Sequence, residues 1–311
     1  MTSEEALSTG PLLFNGHLPS ASAIATTLAH PRFPEASRIA ASGLVAFYQG
    51  ERVVNQVMPD RIRYIISVFA IHLHFAGRPN DPGSGLTASR LRKLCVERKI
   101  CSPGRAEAML AIMRGYGHLV PAPSDADRRL RRLVPTESLF AWHRKRCTFF
   151  FEAAAKVMPE HAQAMAEVDT PGFMPHFVQH LARIHVSGFH YVEQVPDVRL
   201  FFERSAGGPI LMSIVLAGDS NDPFTPSRAV SISFSAIARD FGVSRVHVRR
   251  LVQEGISAGL LERAGPSGDD LAVSSRLSDA VRRVLAIYII HYTHCARLAY
   301  FDIGHKAAAS G

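Results

Sequence analysis

The sequence has few cysteines, no basic leader and no long apolar run, and each scarcity excludes a class of protein. Its four cysteines form no CxxC pair, which argues against a zinc ribbon and against a disulfide-bonded secreted scaffold. The N-terminal segment MTSEEALSTG lacks the basic region of a signal peptide. No apolar run reaches the ~18 residues that a membrane-spanning helix needs. We therefore expect a cytoplasmic, nucleoid-associated protein with no membrane partner.

Motifs of common enzyme classes are also missing. The sequence contains no GxSxG elbow, no P-loop, no GxGxxG and no HExxH motif. The run Gly207-Gly208-Pro209 lacks the lysine that follows in a phosphate-binding loop. We therefore predict that the protein is not an enzyme and has no cofactor.

Arginine is what the sequence has in excess. Only five of its 35 Lys and Arg residues are lysines, and the formal net charge is +8. The planar guanidinium group suits phosphates and guanine edges better than an ammonium does, so this composition favours an anionic partner. With 47% hydrophobic and 20% charged residues, the 311-residue chain can bury a core, and its length is about twice that of a typical domain of ~100–200 residues.

The pattern of expected elements recurs after about 142 residues. Each copy has an amphipathic helix, a compact segment and a long closing helix, over residues 62–73, 86–136 and 137–158 in the first copy and 197–217, 232–274 and 275–301 in the second. We predict a mobile N-terminal tail over residues 1–30 with one short helix at 21–29, a first repeat over 31–165 and a second repeat over 166–311.

The most specific pattern lies in residues 232–264. Gly242 supplies the tight turn between two expected helices. Ser244 is suited to cap the second helix and Gly259 to end it, and Leu260-Leu261 then begins a strand. A Gly- and Pro-rich turn leads back into a second strand. This order of helix, turn, helix and β-ribbon resembles the bacterial winged helix-turn-helix regulators.

The outward, N-terminal part of that second helix carries candidate DNA-binding residues, which are Ser244, Arg245, Val246, Arg249 and Arg250. In a docked helix-turn-helix these positions reach base edges and phosphates in the major groove. We expect Arg245 and Arg249 to read bases, whereas Ser244 and Arg250 hold phosphate. The alternative is a solvated basic helix face stabilised by Glu254.

The corresponding segment of the first repeat is less regular and points to a family. Its second helix begins at Ser102, after a turn about four residues longer than in the second repeat, and it offers Ser102 and Arg105 as candidate DNA contacts. Residues 125–137, DADRRLRRLVPTE, resemble the wing signature of the MarR family, which is a D-R-R triplet, spaced apolar residues and a threonine. The matching residues are Asp127, Arg128, Arg129, Leu133 and Thr136.

The resemblance implies that Arg128 or Arg129 enters the minor groove of DNA and that Asp127 braces it. An arginine in a narrow minor groove gains from the concentrated negative potential there. Arg131 and Arg132 extend this basic wing. The alternative is an ordinary basic β-hairpin.

MarR-like proteins are typically half this length, carry one module per chain and pair as homodimers. The resemblance therefore implies a mainly α fold with small β-ribbon wings, in which two tandem winged helix-turn-helix modules lie on a helical scaffold as a pseudo-two-fold internal repeat. Such a chain acts as a pseudo-dimeric monomer or as a homodimer.

The function implied is that of a sequence-specific double-stranded DNA-binding transcriptional regulator, by default a repressor that occludes promoters. One alternative is a tandem winged-helix replication initiator. Another is a protein-interaction scaffold without DNA binding, which the acidic second wing at Asp269-Asp270 favours.

Three other groups of residues allow two interpretations each. His176 and His180 have metal-ligand spacing and His185 and His190 follow, but no Cys or acidic ligand lies close by in sequence to complete a tetrahedral set, so we predict no metal site. Cys95 and Cys101 flank the first turn and are either redox-sensitive, as in some members of the resembled family, or inert. Seven aromatic residues either form plain core or line a pocket for a small aromatic effector, as the resemblance implies: Phe33, Phe47, Tyr48, Phe173, Phe177, Phe189 and Tyr191.

Overall fold

The computed structural model describes residues 14–15, 18–78, 81, 84–123, 132–218, 224–226, 228–265 and 270–309. Over these residues the chain is mainly helical with small antiparallel sheets, which confirms the predicted mainly α fold class with small β-ribbons. No helix in this part of the chain combines the length and the apolar character needed to cross a membrane.

The first half of the chain combines helices with two β-hairpins. Its elements are β1 (Phe14–Asn15), β2 (Leu18–Pro19), α1 (Ala21–Ala29), α2 (Phe33–Tyr48), α3 (Arg52–Val57), α4 (Arg61–Phe75), α5 (Ala88–Glu97), α6 (Pro103–Gly115), β3 (Leu119–Pro121), β4 (Leu133–Pro135) and α7 (Glu137–Val157).

The second half ends in the longest helix of the described chain. Its elements are α8 (Ala162–Ala166), α9 (Phe173–Val186), α10 (Tyr191–Gln194), α11 (Arg199–Phe202), α12 (Gly207–Leu216), β5 (Val230–Ser231), α13 (Phe234–Asp240), α14 (Arg245–Ser257), β6 (Leu261–Ala264), β7 (Asp270–Val273) and α15 (Ser275–Ala309). The predicted repeat boundary after residue 165 falls at the end of α8.

The segment before α2 is packed rather than mobile. Helix α1 forms where it was predicted, and the Ser20 hydroxyl caps it by accepting a hydrogen bond from the Ala23 N–H at 3.0 Å. Ile24 is buried, and α1 packs on α15. The ring of Phe14 stacks on His294 with the centroids 4.4 Å apart. Where the sequence predicted a mobile tail over 1–30, residues 18–30 thus contain a capped helix whose apolar face is part of the core. Residues 1–13 lie outside the described chain.

The helical scaffold is shared between the two halves. Helix α2 packs on α7 within the first half, and α9 packs on α15 within the second. The other scaffold helix of each half packs on a helix of the opposite half: α4 packs on α9, and α12 packs on α2. Helices α7 and α15 also contact each other. Helices α4 and α12 each bury side chains on all sides, so other elements surround them. The two halves therefore share one hydrophobic core.

A close helix contact of the scaffold depends on a glycine. A Cβ placed on Gly43 of α2 would lie 2.3 Å from Cγ of Phe149 on α7. Only glycine therefore allows the two backbones to approach this closely. The contact fixes α7, the helix that follows β4, against the first half of the scaffold.

Candidate nucleic-acid interface

Helices α13 and α14 are joined by a tight turn with capped ends. The Ser233 hydroxyl accepts from the Ala236 N–H at 3.2 Å and caps α13, and the Ser244 hydroxyl accepts from the His247 N–H at 3.1 Å and caps α14. Between them Gly242 adopts a φ of +64°, which a residue with a Cβ rarely adopts. The turn glycine and the Ser244 cap are where the sequence predicted them.

A three-stranded antiparallel sheet adjoins these helices. Strand β7 lies in the centre, with β5 on one side and β6 on the other. The register pairs Val230 with Leu271, and Leu261 with Val273. The sequence predicted β6 and β7 but missed β5, because two residues carry no periodic pattern. Residues 266–269, and with them Asp269, lie outside the described chain.

The buried stripe of α14 determines which residues face solvent. Val248, Leu251 and Val252 are buried, and the helix packs on α13 and β6. On the opposite face the side chain of Val246 is 73% exposed although it is apolar. Ser244, Arg245, Arg249 and Arg250 are exposed as well, so all five residues predicted on this helix lie on one accessible end of it.

The charge on that face is largely uncompensated. Arg250 Nε lies 3.8 Å from Glu254 Oε1, an exposed pair of the kind that contributes little to stability. Glu254 also accepts a hydrogen bond from Arg204 at 3.2 Å. Within the described chain, Arg245 and Arg249 form no ion pair with a carboxylate. Their guanidinium groups are therefore available to an anion from outside.

The first half repeats this architecture in detail. The Ser102 hydroxyl caps α6 by accepting from the Arg105 N–H at 3.4 Å, as Ser244 does for α14. Gly117 ends α6 with a φ of +71°, and Gly259 ends α14 with a φ of +68°. In each copy the residue after that glycine donates its N–H to the helix carbonyl five residues earlier, and both bonds measure 2.9 Å. The caps and helix ends thus occur at the same spacing in both halves.

Strand pairing is reduced in the first half. Strands β3 and β4 form a two-stranded sheet with Leu119 opposite Pro135. Where β5 completes the second sheet, the first half has a single backbone bond, from the Leu133 N–H to the Leu86 carbonyl at 2.9 Å. The two segments therefore have the same order of helices and strands but differ at the edge of the sheet.

The basic residue predicted on α6 is already engaged. Arg105 Nη2 donates to Asp60 Oδ2 at 3.0 Å, and the side chain of Asp60 is only 5% exposed. On the same helix Glu107 pairs with Arg92 of α5. The exposed start of α6 therefore has much less free positive charge than that of α14, although its cap is the same.

The predicted wing of the first half lies mostly outside the described residues. Asp127, Arg128, Arg129 and Arg131 belong to the segment 124–131, so the expected brace has no structural account. Arg132 is described, and its Nη2 donates to the Asp81 carbonyl at 3.2 Å.

The helix pair α13–α14 and the end of α6 both contact one short stretch of the scaffold, residues 49–56. The Gly50 N–H donates to the Asp240 carbonyl at 2.8 Å, at the end of α13. At the other end of this stretch the Tyr116 hydroxyl, just after α6, donates to the Gln56 side chain. No sequence pattern indicates these contacts, since the partners are far apart along the chain. They position the two segments relative to each other.

The histidine pair and the cysteines do not form a second site on this face. His176 Nδ1 and His180 Nε2 lie 3.1 and 2.9 Å from Asp302 Oδ2, which ties α9 to α15. Among the described residues no group of three His, Cys, Asp or Glu side chains is placed to hold a metal ion. Burial raises the pKa of the Cys95 thiol to about 12 and also raises the pKa of Cys101. Such thiols are poor nucleophiles, which favours the inert interpretation.

All seven aromatic residues are buried in the core: Phe33, Phe47, Tyr48, Phe173, Phe177, Phe189 and Tyr191. Tyr48 and Tyr191 also line a small pocket where the two halves meet.

Comparisons of this chain with protein-family models, with curated proteins and with solved structures give no match.

Proposed function

We propose that the chain is a sequence-specific double-stranded DNA-binding transcriptional regulator built from two winged helix-turn-helix modules. The observation that carries this proposal is the exposed, uncompensated pair Arg245 and Arg249 at the N-terminal end of α14, beside a three-stranded sheet. A helix fits the ~12 Å width of the major groove, and arginine forks recognise the O6 and N7 atoms of guanine. A capped and buried helix can hold such forks in a fixed orientation.

The two modules have different parts in this proposal. The α14 module reads bases, with Ser244 and Arg250 on flanking phosphates and Val246 against the groove. The first module, whose Arg105 is paired with Asp60, acts mainly through the wing that carries Arg128 and Arg129. Two half-sites about one helical turn (~34–36 Å) apart then have different sequences. Binding over a promoter represses transcription by occlusion.

The test begins with selection of bound duplexes from a random library, followed by titration of the selected duplex and a scrambled one at fixed salt. We expect Arg245→Ala to weaken specific binding by ~1–3 kcal/mol and to leave nonspecific binding nearly intact. Arg250→Ala is expected to weaken binding to both duplexes alike and to reduce the salt slope by ~1. Arg183→Ala removes an exposed arginine from α9 and serves as the control.

Other results would redirect the assignment. If Arg245→Ala weakens binding to the selected and the scrambled duplex equally, Arg245 contacts phosphate rather than a base. Selection of direct repeats at close spacing favours the replication initiator. Absence of salt-dependent duplex binding rules out a DNA-binding role, because phosphate neutralisation necessarily releases counterions.

A further inference from the structure

A surface cleft lies between the turn that joins α5 to α6 and the segment that runs from the end of α9 to α11. The first turn of α4 also lines this cleft, which holds about 400 Å³ of free space. Among the described residues that surround the pocket where the two halves meet, only Arg61 is also part of the cleft. The wall of the cleft carries three glutamates and four bases, which are Arg61, Arg98, Lys99 and Arg199.

Arg61 and His190 bring buried nitrogen atoms without partners to this cleft. The side chain of Arg61 is 12% exposed, and within the described chain its Nε and Nη1 are buried without a hydrogen-bond partner. Its Nη2 lies 3.4 Å from Glu203 Oε1, an atom that Arg199 Nε also approaches at 3.1 Å. His190 Nδ1 is buried without a partner as well, and burial lowers the pKa of this imidazole. Buried polar atoms without partners are unfavourable, and an anion in the cleft would supply acceptors.

The bases of the cleft outnumber the acids that can neutralise them. Glu97 pairs with Lys93 at 3.8 Å, and Lys93 lies outside the cleft. Within the described chain neither Arg98 nor Lys99 has a carboxylate partner. Because Glu97 is paired elsewhere, the four bases face only the two remaining glutamates. Two positive charges of the cleft are therefore uncompensated.

Lys99 occupies a backbone position that favours glycine. Its φ is +53°, in the left-handed region. The Ile100 N–H that follows it donates to the Cys95 carbonyl at 2.8 Å, and in the second half the residue after Gly242 makes the equivalent bond at 3.0 Å. Gly242 itself has a φ of +64°, so a lysine stands where the other turn has a glycine. Strained residues of this kind concentrate at binding sites, and here the strained residue brings an ammonium group to the cleft.

We propose that this cleft binds a phosphate dianion, either inorganic phosphate or the phosphate group of a small monoester, through Arg61, Arg98 and Lys99. A phosphate monoester carries about −1.5 to −2 charges at pH 7, which matches two uncompensated cations, whereas a phosphodiester carries one negative charge. The terminal oxygens of the phosphate accept hydrogen bonds from guanidinium and ammonium groups. The cleft is larger than one phosphate, so the remainder of a small monoester fits as well. The site does not depend on the proposed DNA binding.

The first experiment is isothermal titration calorimetry of the full-length protein at constant ionic strength and about pH 7.5, where phosphate is mostly dianionic. The ligands are inorganic phosphate, glycerol 3-phosphate, dimethyl phosphate and glycerol. We expect saturable binding at one site per chain for at least one of the two dianions and none for dimethyl phosphate or glycerol. Tighter binding of glycerol 3-phosphate identifies a monoester as the ligand, and equal or tighter binding of inorganic phosphate identifies free phosphate. Failure of both dianions to bind, or equal binding of dimethyl phosphate, would overturn the proposal.

Variants locate the site. Lys99→Gln is expected to weaken binding about 10-fold and Arg61→Gln about 10- to 100-fold, since each removes a charge-assisted hydrogen bond. Lys145→Gln is the matched control, because it removes the same charge from α7, where Lys145 pairs with Glu51 away from the cleft, and it should leave affinity unchanged. Lys99 is exposed, so its variant is expected to fold and decides the matter if Arg61→Gln does not fold. Unaltered affinity in Lys99→Gln would place the ligand elsewhere and overturn the proposal.

Discussion

The pairing of Asp60 with Arg105 offers a direct test of why the first module has so little free charge. The Asp60 side chain caps α4 by accepting from the Arg63 N–H at 2.9 Å and also receives the Arg105 guanidinium at 3.0 Å. Asp60→Asn preserves the cap, because an asparagine oxygen accepts the same N–H bond. It removes the charge that holds Arg105, so the substitution separates the two roles of Asp60.

The structure sets the size of both effects. A hydrogen bond to a charged group contributes about 1.5–3 kcal/mol, but the Arg105 side chain is 41% exposed and its charge is screened by solvent. We therefore expect Asp60→Asn to lower the free energy of unfolding by about 1–2 kcal/mol. If the released Arg105 then contacts one DNA phosphate, the slope of log K against log salt concentration steepens by about 0.9.

The assays are urea denaturation for stability and fluorescence anisotropy with a labelled duplex over a series of salt concentrations. The double variant Asp60→Asn, Arg105→Ala is the matched control, and its salt slope should return to that of the wild-type protein. An unchanged slope in Asp60→Asn alone would refute the reasoning, since it would mean that the freed Arg105 does not reach DNA.

Two further predictions concern stability. Gly43→Ala should lower the free energy of unfolding by about 1–3 kcal/mol, because its methyl group would overlap Phe149. The control Gly104→Ala has no neighbour within 4 Å and should be neutral or stabilising by up to ~1 kcal/mol. Equal unfolding midpoints for the two variants would contradict the close approach of α2 and α7. Burial lowers the pKa of His143 to about 3 and of His185 to about 4, so stability is fully present above about pH 6.5 and is lost as the pH falls towards these values. Between pH 6.5 and 5 each histidine should cost about 2 kcal/mol. Urea denaturation at both pH values measures the total loss, to which the buried His291 and His294 also contribute because their pKa values are lowered too. His143→Gln should lose about 2 kcal/mol less than the wild-type protein over this range.

Features fixed by local chemistry could be predicted from the sequence. Ser244 and Gly242 were assigned correctly because a cap and a left-handed turn depend on residues only a few positions apart. The Asp60–Arg105 pair and the exchange of α4 and α12 between halves could not be predicted, since they depend on how distant elements pack. The burial of Arg146 could not be predicted for the same reason, because it looks like an ordinary basic position on an amphipathic helix until the second half covers it.

Joining both copies in one chain allows equivalent positions to hold different residues. Arg61 and Glu203, separated by 142 residues, occupy corresponding positions in the repeat and pair with each other at 3.4 Å. Arg146 corresponds in the same register to Tyr288, and both line the pocket where the two halves meet. In a symmetric homodimer each such position would face its own copy, so two arginines or two tyrosines would meet. Two related halves in one chain thus permit Arg146 to face an uncharged Tyr288, and they likewise permit α14 to expose its arginines while Arg105 on α6 stays paired.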